Sequence, residues 1–138
     1  MTEYYFHTMH HEFTHILNQR KPYNPAFDLV TQSGYVSGNW LNVSTRDARR
    51  AGFVSPYAMM NGAEDFAEMR SFYVTYTPQA WQAILDEAGT RGANLINQKL
   101  TLIKDYTQSS WGLDLDQLRD VVIRRGGQVA TLDLSKLK

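Results

Sequence analysis

The chain has 138 residues, 43% of them hydrophobic, with 14 basic residues balanced by 14 acidic ones and no cysteine. That length and apolar content suit one domain with a sizeable core, since a chain near this size removes roughly two-thirds of its unfolded surface from water. The even charge leaves no footprint for nucleic acid or an anionic membrane, no apolar run nears the ~20 residues that cross a bilayer, and lack of cysteine excludes disulfides and thiolate metal ligands.

The first helix is expected to begin near the N-terminus and to stop at about Gln19 to Lys21, because Pro22 and Pro25 remove backbone donors and push the residues before them to extended geometry. Phe6, Met9, Phe13, Ile16 and Leu17 form an apolar stripe along it. Within it lies His11-Glu12-Phe13-Thr14-His15, an H-E-x-x-H pattern. Residues four apart share a helix face, so His11 and His15 can aim two imidazole nitrogens at one ion about 2.0–2.1 Å away. Glu12 falls beside them, placed to take a proton from water while zinc lowers that water's pKa. The plainer alternative is an amphipathic helix in a His-rich segment, since His7 and His10 stand nearby. The metzincin extension is absent: Asn18 stands where its Gly would be and Lys21 where its third His would be. With no Cys and no His after His15, a third ligand has to be a carboxylate.

Residues 22–43 read as mostly irregular, with Tyr23, Phe27, Tyr35 and Trp40 among glycines and asparagines. These aromatics are expected to anchor a loop over the core near the cleft or, alternatively, to line a substrate pocket. Ser44-Thr45-Arg46-Asp47 opens a short helix ended by Gly52, and Arg46, Arg49 and Arg50 read as its solvated face.

Tyr57 follows in Phe53-Val54-Ser55-Pro56-Tyr57. A phenol near a metal site can donate to a developing oxyanion, although a Tyr after a Pro is more commonly a packed aromatic. The next helix is predicted from about Gly62 to Val74, with Asn61 as N-cap and Glu64 three residues on. Glu64 and Glu68 share one face, so Glu64 could complete a His2Glu site while Glu68 accepts a hydrogen bond from the outer nitrogen of a ligating His. The competing reading has Glu64 only capping its helix and Glu68 paired with Arg70 or solvent. Asp65, about 100° away round the helix, ranks second as a ligand.

Thr77-Pro78 starts a further helix with Trp81, Ile84 and Leu85 on its buried side and Gly89 as stop signal. A longer one is predicted from about Ala93 to Thr107, carrying Leu95, Ile96, Leu100, Leu102 and Ile103. Asp114 or Asp116 caps another, which Gly126-Gly127 is expected to terminate, and Val129 to Leu134 alternates like a short strand. This C-terminal third reads as scaffold, with Lys99, Lys104 and Tyr106 in solvated or core-edge roles. No internal repeat, glycine-rich phosphate loop or G-x-S-x-G elbow occurs.

Three segments together carry a resemblance: His11-Glu12-Phe13-Thr14-His15, Gly52-Phe53-Val54-Ser55-Pro56-Tyr57-Ala58 and Glu64-Asp65-Phe66-Ala67-Glu68. The chain resembles the zinc-binding metallopeptidases found as lipoproteins in bacterial polysaccharide-utilisation systems, and its signature is similar to that of the catalytic domain of anthrax lethal factor, a gluzincin. The likeness extends over nearly the whole chain, including Tyr35, Trp40, Trp81 and Trp111. It implies His11, His15 and Glu64 as zinc ligands, Glu12 as general base, Glu68 as support to a ligand, and Tyr57 as oxyanion donor. It also implies export and a lipid anchor in full-length members. One departure stands out. Zincins commonly pair an extended substrate with an edge strand upstream of the H-E-x-x-H helix, whereas the ten residues before His11 read as the first turns of that same helix.

The expected fold is therefore mainly α, a zincin-like subdomain built on an active-site helix and a glutamate helix, with the full family being α+β. The expected function is zinc-dependent hydrolysis of peptide bonds in a peptide or protein substrate. Two alternatives are a non-catalytic zinc-binding module of a cell-envelope glycan-utilisation protein, and a helical binding domain without metal.

Overall fold

Side-chain caps set where the main helices start. Ser44 Oγ accepts from the Asp47 N–H at 3.1 Å, Asn61 Oδ1 from Glu64 N–H at 2.9 Å, and Thr77 Oγ1 from Ala80 N–H at 3.1 Å. Each satisfies one of the donors left free in a first helical turn. In the computed structural model, which describes the backbone of residues 2–130 and the side chains of residues 5–126, the resulting helices are α1 (Thr2–Arg20), α2 (Ala26–Val30), α3 (Thr45–Arg50), α4 (Gly62–Thr75), α5 (Pro78–Trp111) and α6 (Leu115–Ala130). Single 3-10 turns occupy Gln32–Gly34, Ser37–Asn42 and Tyr57–Met59, and no strand occurs among the described residues.

α4 is the central element. It packs against α1, α5 and α6, and every residue from Asp65 to Val74 is buried. A helix covered on all sides has to satisfy its polar groups internally, so its charged residues are paired or bonded rather than solvated. α3 lies across α5, where Gly92 lets the two backbones approach: a Cβ there would stand 2.4 Å from the Arg49 carbonyl oxygen.

Several expectations are corrected by tertiary packing. Residues 22–43 are not mostly irregular but hold α2 and two 3-10 turns, and their aromatics anchor this segment to α4 and its surroundings. Phe27 is fully buried, the Tyr23 ring stacks on Phe66 at 4.6 Å, and Tyr35 donates to Asp65 at 2.7 Å. The apolar stripe of α1 does not face the core: Met9, Phe13 and Ile16 are 42%, 46% and 49% exposed, while His11 and Thr14 are buried. α1 turns its polar face inward because α4 offers it carboxylates and hydroxyls, and paired polar groups tolerate burial.

The expected stop at Gly89 survives as a break within α5, where φ 71° and ψ 179° interrupt the helix before it resumes. Asp114, not Asp116, caps α6, its Oδ1 accepting from the N–H groups of Asp116 and Gln117 at 2.8 and 3.1 Å. Gly126-Gly127 does not end that helix, which continues to Ala130 with Gly126 against the Phe6 ring. Glycine costs only about 1 kcal/mol in a helix interior, a penalty that packing offsets. Val129 is accordingly helical, and the remainder of the predicted strand, from residue 131 to 134, lies outside the described residues.

Lys99 is the sharpest correction to the scaffold reading. It is neither solvated nor at a core edge but fully buried, with Nζ 2.7 Å from Asp65 Oδ2, 2.8 Å from the Gly52 carbonyl and 3.9 Å from the centre of the Phe53 ring. Tyr106 is likewise buried, donating to the Lys21 carbonyl at 2.6 Å and accepting from Trp111 Nε1 at 3.0 Å. Lys104 stays partly exposed, 3.2 Å from Asp116. Arg46 and Arg50 are solvated, whereas Arg49 folds back onto the Val54 carbonyl at 3.0 Å and pairs with Glu87 at 3.1 Å.

Candidate metal centre

α1 and α4 lie against each other so that helical spacing on each delivers a row of polar side chains to one seam. From α1 come His7, His11 and His15, successive by one turn; from α4 come Glu64, Glu68 and Ser71. The Nε2 atoms of His11 and His15 are 3.2 Å apart. Glu64 places Oε2 2.9 Å from His11 Nε2 and Oε1 2.8 Å from His15 Nε2. Four atoms from three side chains thus converge on one point at the mouth of the seam, where His15 and Glu64 keep 22% and 16% of their side-chain surface exposed.

This donor set fits a zinc ion. Two imidazole nitrogens and one carboxylate make up a known catalytic set, and ligands held 2.0–2.1 Å from a tetrahedral ion stand about 3.3 Å apart, close to the separations here. Asp65, the competing carboxylate, points away into the core toward Lys99. Its carboxyl is pushed up to about 6, because complete burial outweighs the opposing pull of Lys99 and Tyr35.

Behind the cluster, Glu68 closes the arrangement from below. Its Oε2 lies 2.8 Å from His11 Nδ1 and 2.9 Å from His7 Nε2, and its Oε1 accepts from Ser55 Oγ at 2.8 Å. Burial alone would raise its pKa, but the hydrogen bonds from His11, His7 and Ser55 prevail and hold the carboxyl at about 2. Glu68 is thus an ionised, acceptor-only group, and it does not pair with Arg70, which donates instead to Thr14 Oγ1 at 3.2 Å. His11 is raised: burial disfavours its charged form, yet Glu68 and then Glu64 more than compensate. Burial, Arg70 and His7 hold His10 down at about 4, so it is neutral at neutral pH and stands beside the seam rather than in it.

Glu12 is exposed and borders two open grooves. One, of about 590 Å³, runs along the second half of α1 past His15, Tyr23, Asp28 and Glu64. The other, of about 440 Å³, is walled by His7, His11, Trp40 and Tyr57. Tyr57 sits on the 3-10 turn before α4 with its ring 5.8 Å from that of His11, braced edge-on by Trp40 at 5.0 Å. Partial burial first, then Glu64, lifts its phenol to about 12, so it carries its proton throughout the neutral range.

His11, Glu12, His15, Tyr57, Glu64 and Glu68 are therefore brought to one place. Sequence reasoning missed His7 and Ser55. The spacing of His7 to His11, one turn, was a usable signal for the first; nothing marks Ser55, whose role depends on how the chain arrives at α4.

Residues 1–116 match the family described as "putative zinc-binding metallo-peptidase". The fold is similar to the crystal structure of a putative zinc-binding metallo-peptidase from Bacteroides caccae, with 41% sequence identity and a TM-score of 0.92 over 97% of this chain and 51% of that one. The chain thus spans about half the length of that relative. No curated protein matches it.

Proposed function

The chain belongs to this zinc-binding metallo-peptidase family, and from that premise we propose that it holds one Zn²⁺ on His11, His15 and Glu64 and hydrolyses peptide bonds in the adjoining grooves. The observation that carries this reading is the approach of His11 Nε2, His15 Nε2 and both Glu64 carboxylate oxygens to within 3.2 Å or less of their neighbours in the cluster. Bound there, zinc supplies a Lewis acid that polarises a scissile carbonyl and makes water nucleophilic at neutral pH.

The protein groups divide the remaining work. Glu12, exposed beside the cluster and not bonded into it, takes the proton of the attacking water and passes it to the leaving amine. Tyr57 keeps its proton and donates it in a hydrogen bond to the oxygen on which negative charge develops. Glu68 accepts from His11 Nδ1, which would leave the Nε2 lone pair for the zinc. The groove along α1 encloses about 590 Å³, and no lysine or arginine lines it among the described residues.

A non-catalytic zinc-binding module is the second reading. The observation that favours it is that no strand occurs among the described residues to hold an extended substrate. Metal analysis and a peptide library separate the two. The parent should bind one zinc per chain, and His11→Ala and Glu64→Ala should each lose it, as chelation does. Glu12→Gln should retain zinc and lose hydrolysis. Zinc retained in both alanine variants would refute the ligand set, and a zinc-loaded parent inert on every peptide would establish the module.

A further inference from the structure

His7 lies outside the H-E-x-x-H pattern, yet it is tied into the seam at both ring nitrogens. Nε2 is 2.9 Å from Glu68 Oε2 and Nδ1 is 2.8 Å from Ser71 Oγ, which also reaches the His7 carbonyl oxygen at 2.5 Å. The ring packs on Phe72 at 4.3 Å. Opposite it, Ser55 gives its proton to the other oxygen of the same carboxylate, while the Ala58 N–H stands 3.3 Å from Ser55 Oγ. Glu68 is therefore gripped from two elements: α1, through His7 and His11 on Oε2, and the segment before α4, through Ser55 on Oε1.

The donors decide tautomers. An ionised carboxylate offers only lone pairs, so each nitrogen facing Glu68 must bring a proton. For His11 the Glu68 side calls for the proton on Nδ1, while Glu64 Oε2, 2.9 Å from Nε2, competes for a proton on that nitrogen until a cation takes the place between them. If Glu68 could rotate, it could leave His11 or exchange partners, and the ring could adopt the other tautomer, which cannot ligate through Nε2.

We propose that His7 and Ser55 are positioning residues which clamp Glu68 from both sides and thereby lock the His11 ring in the Nδ1–H tautomer required for metal binding through Nε2. The same three groups, His7, His11 and Glu68, also lie close enough to hold an ion by themselves. That arrangement would use His11 Nδ1 as a ligand and forfeit the hydrogen bond to Glu68, so the clamp and a second metal site exclude each other. The metal part of this inference rests on the zinc reading given above; the tautomer part does not.

Two readouts test it. In a metal-free Glu64→Ala chain at alkaline pH, where the carboxylate facing Nε2 is gone, long-range ¹H–¹⁵N spectra of labelled histidines should show His11 as the Nδ1–H tautomer. His7→Phe, which keeps the ring packing on Phe72, should convert it to a mixture, and His7→Gln, whose amide donor can reach Glu68, should restore the parental pattern. Competition with a chelator should show zinc affinity reduced about 10- to 100-fold by His7→Phe, the range seen when groups behind a metal ligand are removed. Ser55→Ala should weaken binding in the same direction by less, and in a Glu68→Gln background His7→Phe should add under about twofold. An unchanged His11 tautomer with zinc affinity within twofold of the parent would overturn the clamp, as would an undiminished His7→Phe effect without Glu68. Two zinc ions per chain, one of them lost in His7→Phe, would make His7 a ligand and overturn it too. A parent that binds no zinc, beside the expected tautomer response in the Glu64→Ala chain, would sustain the clamp while refuting the metal reading.

Discussion

The two long faces of α4 solve opposite problems. Toward α1 it presents Glu64, Glu68 and Ser71, each bonded to a histidine, with the Phe72 ring against His7. Away from it, Phe66 meets the rings of Tyr23, Phe27 and Tyr106, Met69 is fully buried, and Tyr73 stands edge-on to Trp81. Burying a large apolar side chain contributes about 1.5–3 kcal/mol, whereas a hydrogen bond nets about 0.5–1.5 kcal/mol once its hydration is subtracted. The aromatic face therefore holds α4 in place, and the polar face, whose net contribution is small, is free to be arranged for direction rather than strength. Precision at the seam depends on a helix fixed from behind.

One polar pair lies on the wrong side of this division. Lys99 and Asp65 are both fully buried among Phe27, Phe53 and Tyr35. Removing one partner of such a pair leaves an uncompensated charge, at a cost of about 3–5 kcal/mol. Lys99→Met should lower the unfolding free energy measured in urea by that amount, the largest loss of stability expected, and Asp65→Leu added to it should recover most of the loss. A Lys99→Met loss under 1 kcal/mol would show the pair to be incidental to the core.

Tyr57→Phe probes the other face. It should lower kcat about 10²- to 10³-fold, the range for losing an oxyanion donor, while unfolding shifts by no more than about 0.5 kcal/mol. Zinc stoichiometry should not change. Equal losses in kcat and stability would place Tyr57 with the packed aromatics instead.

Gly92→Ala acts where α3 crosses α5, away from the seam. The new Cβ would meet backbone, 2.4 Å from the Arg49 carbonyl oxygen and 3.0 Å from that of Arg50, so α3 has to move. Overpacking of this kind costs about 1–3 kcal/mol. The chelator-measured zinc affinity should stay at the parental value; a parallel fall would show that the two regions are not separable.

What could be read beforehand follows the same division. Helical period put His11 with His15 and Glu64 with Glu68, and cap chemistry located Ser44, Asn61 and Thr77, because these relations are local to a few residues. The direction in which α1 faces was not local. Its Met9, Phe13 and Ile16 stripe is a proper amphipathic pattern, yet the histidine face is the one α4 accepts, since only that face supplies partners for Glu64 and Glu68. Lys99 misled for the same reason: a lysine on a helix is ordinarily solvated, and its partner Asp65 lies 34 positions earlier in the chain. Ser55 reaches Glu68 only because the Pro56–Met60 turn folds back over the start of α4.

The smallest effect gives the finest test, because two equivalent caps serve the two regions. Asn61 caps α4 at the metal seam and Thr77 caps α5 in the scaffold, each accepting one N–H three residues on. Replacement of either by Ala should cost about 1 kcal/mol in unfolding. Their effect on zinc should differ. The N–H that Asn61 holds belongs to Glu64, so losing the cap lets the first turn of α4 fray and withdraws the carboxylate from its place between His11 and His15 for part of the time. Fraying worth about 1 kcal/mol would weaken zinc by up to about fivefold, given tenfold per 1.4 kcal/mol. Thr77→Ala, with the same loss of stability, should leave zinc binding untouched. If both caps changed zinc affinity equally, stability and site geometry would be a single property of the whole bundle, and the division of labour across α4 would not hold.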